Sequence, residues 1–440
     1  MEIEKFSKWE QKKIDKLLKD KPFLAISLRE MTDKEQSYYL TEVLKDNNLI
    51  VPKEVNLQDI HDLYSDLLYI EDTNRIDIIL ATALSNKLEG IPIWLILVGA
   101  SGDMKSVQLN SIRTKDVYLL HNLTSKSLVN GYKDKEEHPD LAPELDGKII
   151  IIPDMAQILK LPTIEKAEIW GQLRDLYDGF AGKVSGMGSR QRYENIRTTL
   201  IAGSTPAIDG QILVHQDLGT RELLYRTLGN KNKQKLMEKC FENEELEEKI
   251  KTILTEVTSS FLENTPVKRI EINRECLEEI KKIAIFISYM RATAEIDSYS
   301  NTLRNDVYPE EPSRISKQLK RIFICLKNLD KNYPDKTALK ILWHLGKSSS
   351  FPIRNKIFET LINDNCEYST SQISDMLHTG KSTSQRELGI LWNMRLVNCR
   401  KEKTNFFDRT YDYWTINQKN KFVKSLISDN TFALSNRPLI

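Results

Sequence analysis

The chain has 440 residues, too many for one ordinary core, so two to four domains are expected. With 40% hydrophobic and 29% charged residues it reads as soluble and globular, which excludes a chain disordered throughout. The formal net charge of +1 supplies no global field for a polyanion, so any nucleic-acid contact must come from local basic patches.

The five cysteines, Cys240, Cys276, Cys325, Cys366 and Cys399, lie far apart and form no C-x-x-C pair. That spacing argues against a zinc site or a disulfide framework and suits a reducing cytoplasm. The opening MEIEKFSKWEQKKIDKLLKDK lacks the apolar stretch of a signal peptide. The longest apolar runs, residues 91–98 and 149–152, have the length of buried strands and cannot span a bilayer. A cytoplasmic protein with no membrane partner is expected.

Residues 1–75 carry polar, amphipathic helical patterns, among them 32–47 and 57–68. From 76 to 230 helical stretches alternate with β-branched runs at 93–98, 149–152 and 198–202. Continuous apolar strands alternating with helices predict an α/β core whose parallel sheet is covered on both faces. A helical region follows over 231–345, with a charged stretch at 231–251, an apolar helix at 280–291 and a helix at 314–326 after Glu310-Glu311-Pro312. The final region, 346–440, holds three short helical patterns and an aromatic, β-prone tail.

The sequence IPIWLILVGASGDMKSVQLNSI reads as a strand, a glycine-bearing turn and a helix start. Such a turn surrounds phosphates with backbone N–H groups, adds a lysine charge, and presents a hydroxyl to Mg²⁺. Gly99, Ala100, Ser101, Gly102, Asp103, Met104, Lys105 and Ser106 are therefore the candidate cradle for ATP, with Lys105 on the phosphates and Ser106 on the metal. The usual spacing is G-x-x-x-x-G-K-S; here Met104 stands in place of the last glycine and Gly102 sits two places earlier. A second buried strand in LDGKIIIIPDMAQIL ends at Pro153 and Asp154, where a carboxylate serves Mg²⁺ or the attacking water. A third, in TTLIAGSTPAID, ends in Ser204 and Thr205, polar groups placed to sense a terminal phosphate.

Together these segments resemble the minichromosome-maintenance (MCM) branch of AAA+ ATPases and the MCM-like replication proteins of phages and mobile elements. The MCM phosphate loop shares the compressed form of residues 99–106. LTSKSLVNGY resembles the serine-rich stretch before their second helix, and GQLRDLYDGFAGKVSGMGSRQRYENIRTTLIAGSTP their helix, pre-sensor hairpin and sensor strand. DLGTRELLYR resembles the segment bearing their arginine finger, and EEPSRISKQLKRI their sensor-2 helix. The resemblance covers about residues 80–325. It implies a ring-shaped, usually hexameric, ATP-driven helicase. Arg221 would be the finger reaching a neighbouring subunit's nucleotide, with Arg226 the fallback, and Arg314 would be sensor 2. The family carries Asp-Glu at its acidic strand whereas this chain has Pro153-Asp154-Met155, so one acid is missing; Asp175 or Asp178 is a possible substitute. Residues 1–75 carry no counterpart of the family's OB and zinc-binding domains.

Two segments are candidates for DNA contact. Gly182, Gly186 and Gly188 with Lys183, Arg190 and Arg192 suit a basic β-hairpin that holds phosphates without reading sequence. Three helical patterns at 351–362, 370–377 and 381–394, then strands at 397–399 and 411–415, follow the plan of a winged helix-turn-helix. From 346 to 424 there are 13 Lys/Arg against 8 Asp/Glu, and Arg386, Arg395, Arg400, Lys401, Lys403 and Arg409 are placed to meet phosphates. The function expected first is an ATP-dependent DNA helicase or translocase in replication of a mobile element or phage. A slowly hydrolysing, ATP-switched initiator or loader is the alternative, and a nucleotide-stabilised scaffold or regulator a third.

Overall fold

A computed structural model describes residues 12, 14–16, 18, 55–130, 132, 139–184, 190–210, 220–244, 247–294, 306–403 and 410–428. The helix expected at 32–47, Gly186 and Gly188 of the hairpin, residues 217–219, and Arg409 lie outside the described residues. Contacts divide the chain into two compact units. One is drawn from residues 1–206, 227–269 and 325–333, the other from 207–226, 270–324 and 334–440.

In the first unit, helix α1 (Leu57–Leu68) starts where the Asn56 side chain accepts from Asp59 N at 2.9 Å and Asp59 returns the bond to Asn56 N at 3.1 Å. This reciprocal box satisfies two N–H groups that an isolated helix start leaves unpaired. Helix α2 (Thr73–Ser85) is different in kind, being buried along most of its length, Arg75 and Asp77 included. The core strands follow: β1 (Trp94–Val98), helix α3 (Lys105–Asn110), β2 (Val117–Leu119) and β3 (Ile149–Ile152). Helices α4 (Ala156–Lys160) and α5 (Thr163–Tyr177) precede the strands β4 (Phe180–Val184) and β5 (Arg190–Glu194), then β6 (Thr199–Ser204). Strands β2, β3, β6 and β1 lie side by side in that order in one sheet, each pairing parallel, while β4 and β5 pair separately and antiparallel.

Every residue of β1, β3 and β6 is buried, as a parallel sheet with both faces covered requires. The register sets the site: Val98 lies beside Ser204, and Ile152 beside Ala202, so the carboxyl ends of three neighbouring strands arrive together. In open α/β sheets ligands bind outside those ends. The opposite end is fastened by Arg197, which donates to the carbonyls of Ser85, Asn86, Leu88 and Gly90 and so closes the α2 terminus. Helices α6 (Lys233–Glu242) and α7 (Glu247–Asn264) complete the unit. There Tyr64 Oη lies 2.5 Å from Ser111 Oγ and 3.0 Å from Thr258 Oγ1, joining α1 to α7 through buried hydroxyls.

In the second unit, strand β7 (Leu223–Arg226) is held by two serines: Leu224 N donates to Ser349 Oγ at 2.9 Å and Arg226 N to Ser348 Oγ at 3.0 Å. Its helices are α8 (Arg274–Met290), α9 (Ser313–Leu329, which runs on past the unit's edge) and α10 (Asp335–Ser348). Gly346 lets α10 approach α8 closely, since a Cβ there would stand 3.0 Å from Ile283 Cγ2. The chain continues through α11 (Pro352–Asp364), β8 (Tyr368–Ser369), α12 (Thr370–Met376) and α13 (Lys381–Asn393). It closes with β9 (Val397–Lys403), β10 (Thr410–Ile416) and α14 (Lys421–Ser428). The three short strands form one antiparallel sheet with β10 in the middle. Arg354 is buried at the centre of this part, donating to Glu387 at 2.8 Å and to the carbonyls of Met290 and Ala292. Among the described residues, no helix is long and apolar enough to cross a membrane.

Candidate functional site

The turn between β1 and α3 is built from strained backbone backed by packed side chains. Gly99 N donates to Ser204 O at 3.1 Å, joining the loop to β6. Gly99 has no room for a side chain: a Cβ would lie 2.0 Å from Thr227 Oγ1 and 2.5 Å from Asp103 Oδ2. Gly102 takes φ +78°, the left-handed region that glycine enters without penalty. Met104 is also left-handed, at φ 54°. The residue standing in place of the usual last glycine thus keeps a glycine-like backbone, at a cost of about 1–2 kcal/mol.

Lys105 begins α3, is 8% exposed, and folds back over the loop. Its Nζ donates to Gly99 O at 2.9 Å and Ala100 O at 2.6 Å. Burial pushes the ammonium below its ordinary pKa, with the Asp103 carboxylate opposing that shift and Arg75 adding to it. Two of the three donors of this ammonium are thus spent on carbonyls, and a buried cation is stabilised further by an anion. Ser106 Oγ donates to Pro153 O at 3.2 Å and so touches the end of β3. The next residue, Asp154, is exposed, and its Oδ1 accepts from Ala156 N at 2.8 Å. Ser204 ends β6 between the two, buried, with its hydroxyl donating to Thr205 O at 3.1 Å. The sheet therefore brings the adjacent Lys105 and Ser106 together with Asp154 and Ser204, which lie far along the sequence from them.

Three residues of this neighbourhood escape the motif. Arg75 of α2, 2% exposed, donates from Nη1 to Asp103 Oδ1 at 2.9 Å and from Nη2 to Asp103 O at 3.1 Å. The one sequence signal for it is an arginine within the apolar run RIDIILATAL. Thr227 backs Gly99 and donates from its backbone and hydroxyl to Val98 O, at 2.9 Å and 3.3 Å. Gly203 is pressed against β3: a Cβ would come 2.4 Å from Pro153 O, and Met155 N donates to Gly203 O at 2.8 Å.

The two arginines predicted for catalysis belong to the second unit. Arg314 pairs with Glu310 and donates to Thr220 O, at 2.6 Å in the latter case. Gln318, one turn further along α9, donates to Arg221 O at 2.8 Å. One helix face therefore carries both arginine segments. The fallback Arg226 is committed to Asp209 through two bonds, at 2.5 Å and 3.0 Å.

Compared with models of known families and with curated protein sequences, the chain matches none.

Of the residues predicted to meet DNA, Arg190 and Arg192 are exposed on β5, and Arg192 pairs with Glu194 at 2.6 Å. Lys183 is half-buried and donates to Ser125 O at 3.4 Å. In the second unit Lys401 and Lys403 are exposed on β9, while Arg386 is half-buried and bonds Glu387 at 3.0 Å. Arg400 is taken up internally by Glu367 and Glu402, both at 2.7 Å, over the Tyr413 ring. Among the described residues no group of three or more His, Cys, Asp or Glu forms a metal site.

Proposed function

We propose that residues 99–106 hold the phosphates of ATP and that the chain is an ATP-driven motor on DNA, of the MCM-like AAA+ kind. The observation that carries this reading is Lys105 hooked over the loop carbonyls while Ser106 touches the end of β3 and Ser204 ends the strand between. A phosphate group complements such a cradle. Ser106 and Asp154 would hold Mg²⁺ together with the phosphates, since this ion is commonly bound by one or two carboxylates and retained waters. The metal would draw charge from the transferring phosphoryl group.

The protein's own contributions are these. Lys105 binds the phosphates as a point charge, the loop N–H groups orient them, and Ser204 meets the terminal group. Arg221 and Arg314 are assigned to the same chemistry, Arg221 acting on a neighbouring subunit's nucleotide in a homo-oligomeric ring. The helix triplet α11–α13 followed by the β8–β10 sheet supports a winged helix that touches DNA, with Lys381 and Ser382 at the exposed start of α13 and Lys401 and Lys403 on the wing. The β4–β5 hairpin, with Arg190 and Arg192 outward, is its second DNA contact.

One observation favours the slower alternative, an ATP-switched initiator or loader. Asp154, between Pro153 and the buried Met155, is one acid where the family has two, whether it answers to the metal-associated aspartate or to the catalytic glutamate, and one of its oxygens already accepts from Ala156 N. ATPase turnover with and without single-stranded DNA, on the parent and on Lys105→Ala, separates the readings. DNA-stimulated turnover lost in Lys105→Ala supports the motor. ATP-dependent DNA binding with negligible turnover supports the switch, and a parent chain that binds no nucleotide removes both.

A further inference from the structure

The phosphate loop carries a carboxylate of its own, and that calls for a compensating charge. Asp103 sits two residues before Lys105, so loop residues 99–106 are formally neutral, although their proposed ligand is a polyanion. The charges that act on Lys105 are Asp103, Arg75 and Asp154. With Lys105 itself they make two cations and two carboxylates; without Arg75 the set is net negative. Arg75 comes from α2, some thirty residues upstream, and is held within the protein interior, where an ion pair is screened far less than at the surface.

Its grip on the loop has two points, the Asp103 carboxylate and the Asp103 backbone carbonyl. The second carboxylate oxygen, Oδ2, is buried without a hydrogen-bond partner among the described residues and faces the space beside Gly99. Thr227 Oγ1 crowds the same point. A charge so placed repels an incoming phosphate unless a cation stands behind it.

We propose that Arg75 is a positioning residue of the phosphate site: it neutralises Asp103 and pins the loop, and so makes the cradle compatible with a polyphosphate. This rests on the nucleotide reading given above. Arg75 touches no phosphate; it acts through Asp103.

The test is MgATP and MgADP affinity, measured by calorimetry on the full chain for the parent, Lys105→Ala, Arg75→Met, Asp103→Asn and the double variant Arg75→Met/Asp103→Asn. Stripping one partner from a desolvated charge pair costs at least about 2 kcal/mol, so Arg75→Met is expected to weaken MgATP by about thirtyfold or more. The loss should be larger for ATP than for ADP, because repulsion grows with ligand charge, a dependence that simple loosening of the loop does not predict. Asp103→Asn, which keeps an oxygen for Arg75, should bind ATP several-fold more tightly than the parent. The double variant should recover most of the loss. Arg75→Met binding like the parent, or a double variant as weak as Arg75→Met, overturns the inference. Should circular dichroism show Arg75→Met unfolded, Asp103→Asn decides alone: tighter ATP binding supports the inference, and unchanged or weaker binding overturns it. A parent chain that binds nucleotide no better than Lys105→Ala sinks the underlying reading instead, and the role of Arg75 falls with it.

Discussion

Replacing Gly203 by alanine tests whether the meeting of β6 and β3 is as tight as the site requires. The new methyl carbon would stand 2.4 Å from Pro153 O, 3.3 Å from Pro153 C and 3.4 Å from Leu109 Cδ1. A carbon–oxygen contact settles no closer than about 3.3 Å, so the two strand ends must part by most of an ångström. No rotamer relieves this, because the obstacle is backbone. The parting also loosens the bond from Met155 N to Gly203 O, which is 2.8 Å in the parent. Overpacking costs about 1–3 kcal/mol and a weakened buried hydrogen bond about 0.5–1.5, giving roughly 2–4 kcal/mol together. For a unit of this size each kcal/mol lowers Tm by about 2–4 °C, so a fall of roughly 5–15 °C is expected by circular dichroism. Asp154, the neighbour of Met155 at the displaced strand end, should lose its relation to Ser106, so MgATP affinity should fall as well. Gly171→Ala is the control: it lies inside α5 with nothing near its added carbon, and alanine there should stabilise by about 0.5–1 kcal/mol. A Gly203→Ala protein that melts within a degree of the parent and binds nucleotide equally would refute the packing argument.

Gly99→Ala should also disrupt nucleotide binding, but its obstacles are mainly side chains, Thr227 Oγ1 at 2.0 Å and Asp103 Oδ2 at 2.5 Å. Gly99→Ala/Thr227→Ala should therefore regain part of the lost MgATP affinity in calorimetry, and no recovery would place the fault in the backbone. Because burial lowers the Lys105 pKa below its ordinary value of 10.5, phosphate affinity should begin to fall on the alkaline side below that pH, with no such fall in Lys105→Met. Over the same window the native state binds fewer protons than the unfolded chain, so the parent's stability relative to Lys105→Met should rise with pH; denaturant titrations at stepped pH read the sign directly. In the second unit, Glu387→Ala leaves the Arg354 guanidinium buried beside two carbonyls with its charge unpaired. A loss of about 3–5 kcal/mol in chemical denaturation is expected, and a loss below about 1 kcal/mol would show that the charge is solvated in place.

Much of the architecture is legible in local sequence because local physics decides it. Four consecutive isoleucines, residues 149–152, form β3 with the bounds that the apolar run predicts. The helix predicted at 57–68 is α1, and its Asn56/Asp59 box is a local signal that needs no tertiary partner. Strands predicted at 93–98 and 198–202 appear as Trp94–Val98 and Thr199–Ser204, shifted at their ends where pairing rather than hydrophobicity sets the limit. The helices and strands expected beyond residue 350 appear in the same order, with Pro352–Asp364, Thr370–Met376 and Lys381–Asn393 ahead of the β9–β10 pair. The turn at residues 99–106 is legible too as a strand-to-helix connection, since its glycines suit the backbone that joins Trp94–Val98 to Lys105–Asn110.

Strands, helices and the glycine-lysine-serine turn lie where side chains a few residues apart put them. Which distant groups meet depends on how those segments pack. Sheet order places Ser204 between the loop and the acidic strand, and close approach forbids a side chain at Gly203. Helix α2, buried along most of its length, brings Arg75 to Asp103. Those relations arise from packing and register between segments up to a hundred residues apart, and no local periodicity encodes them.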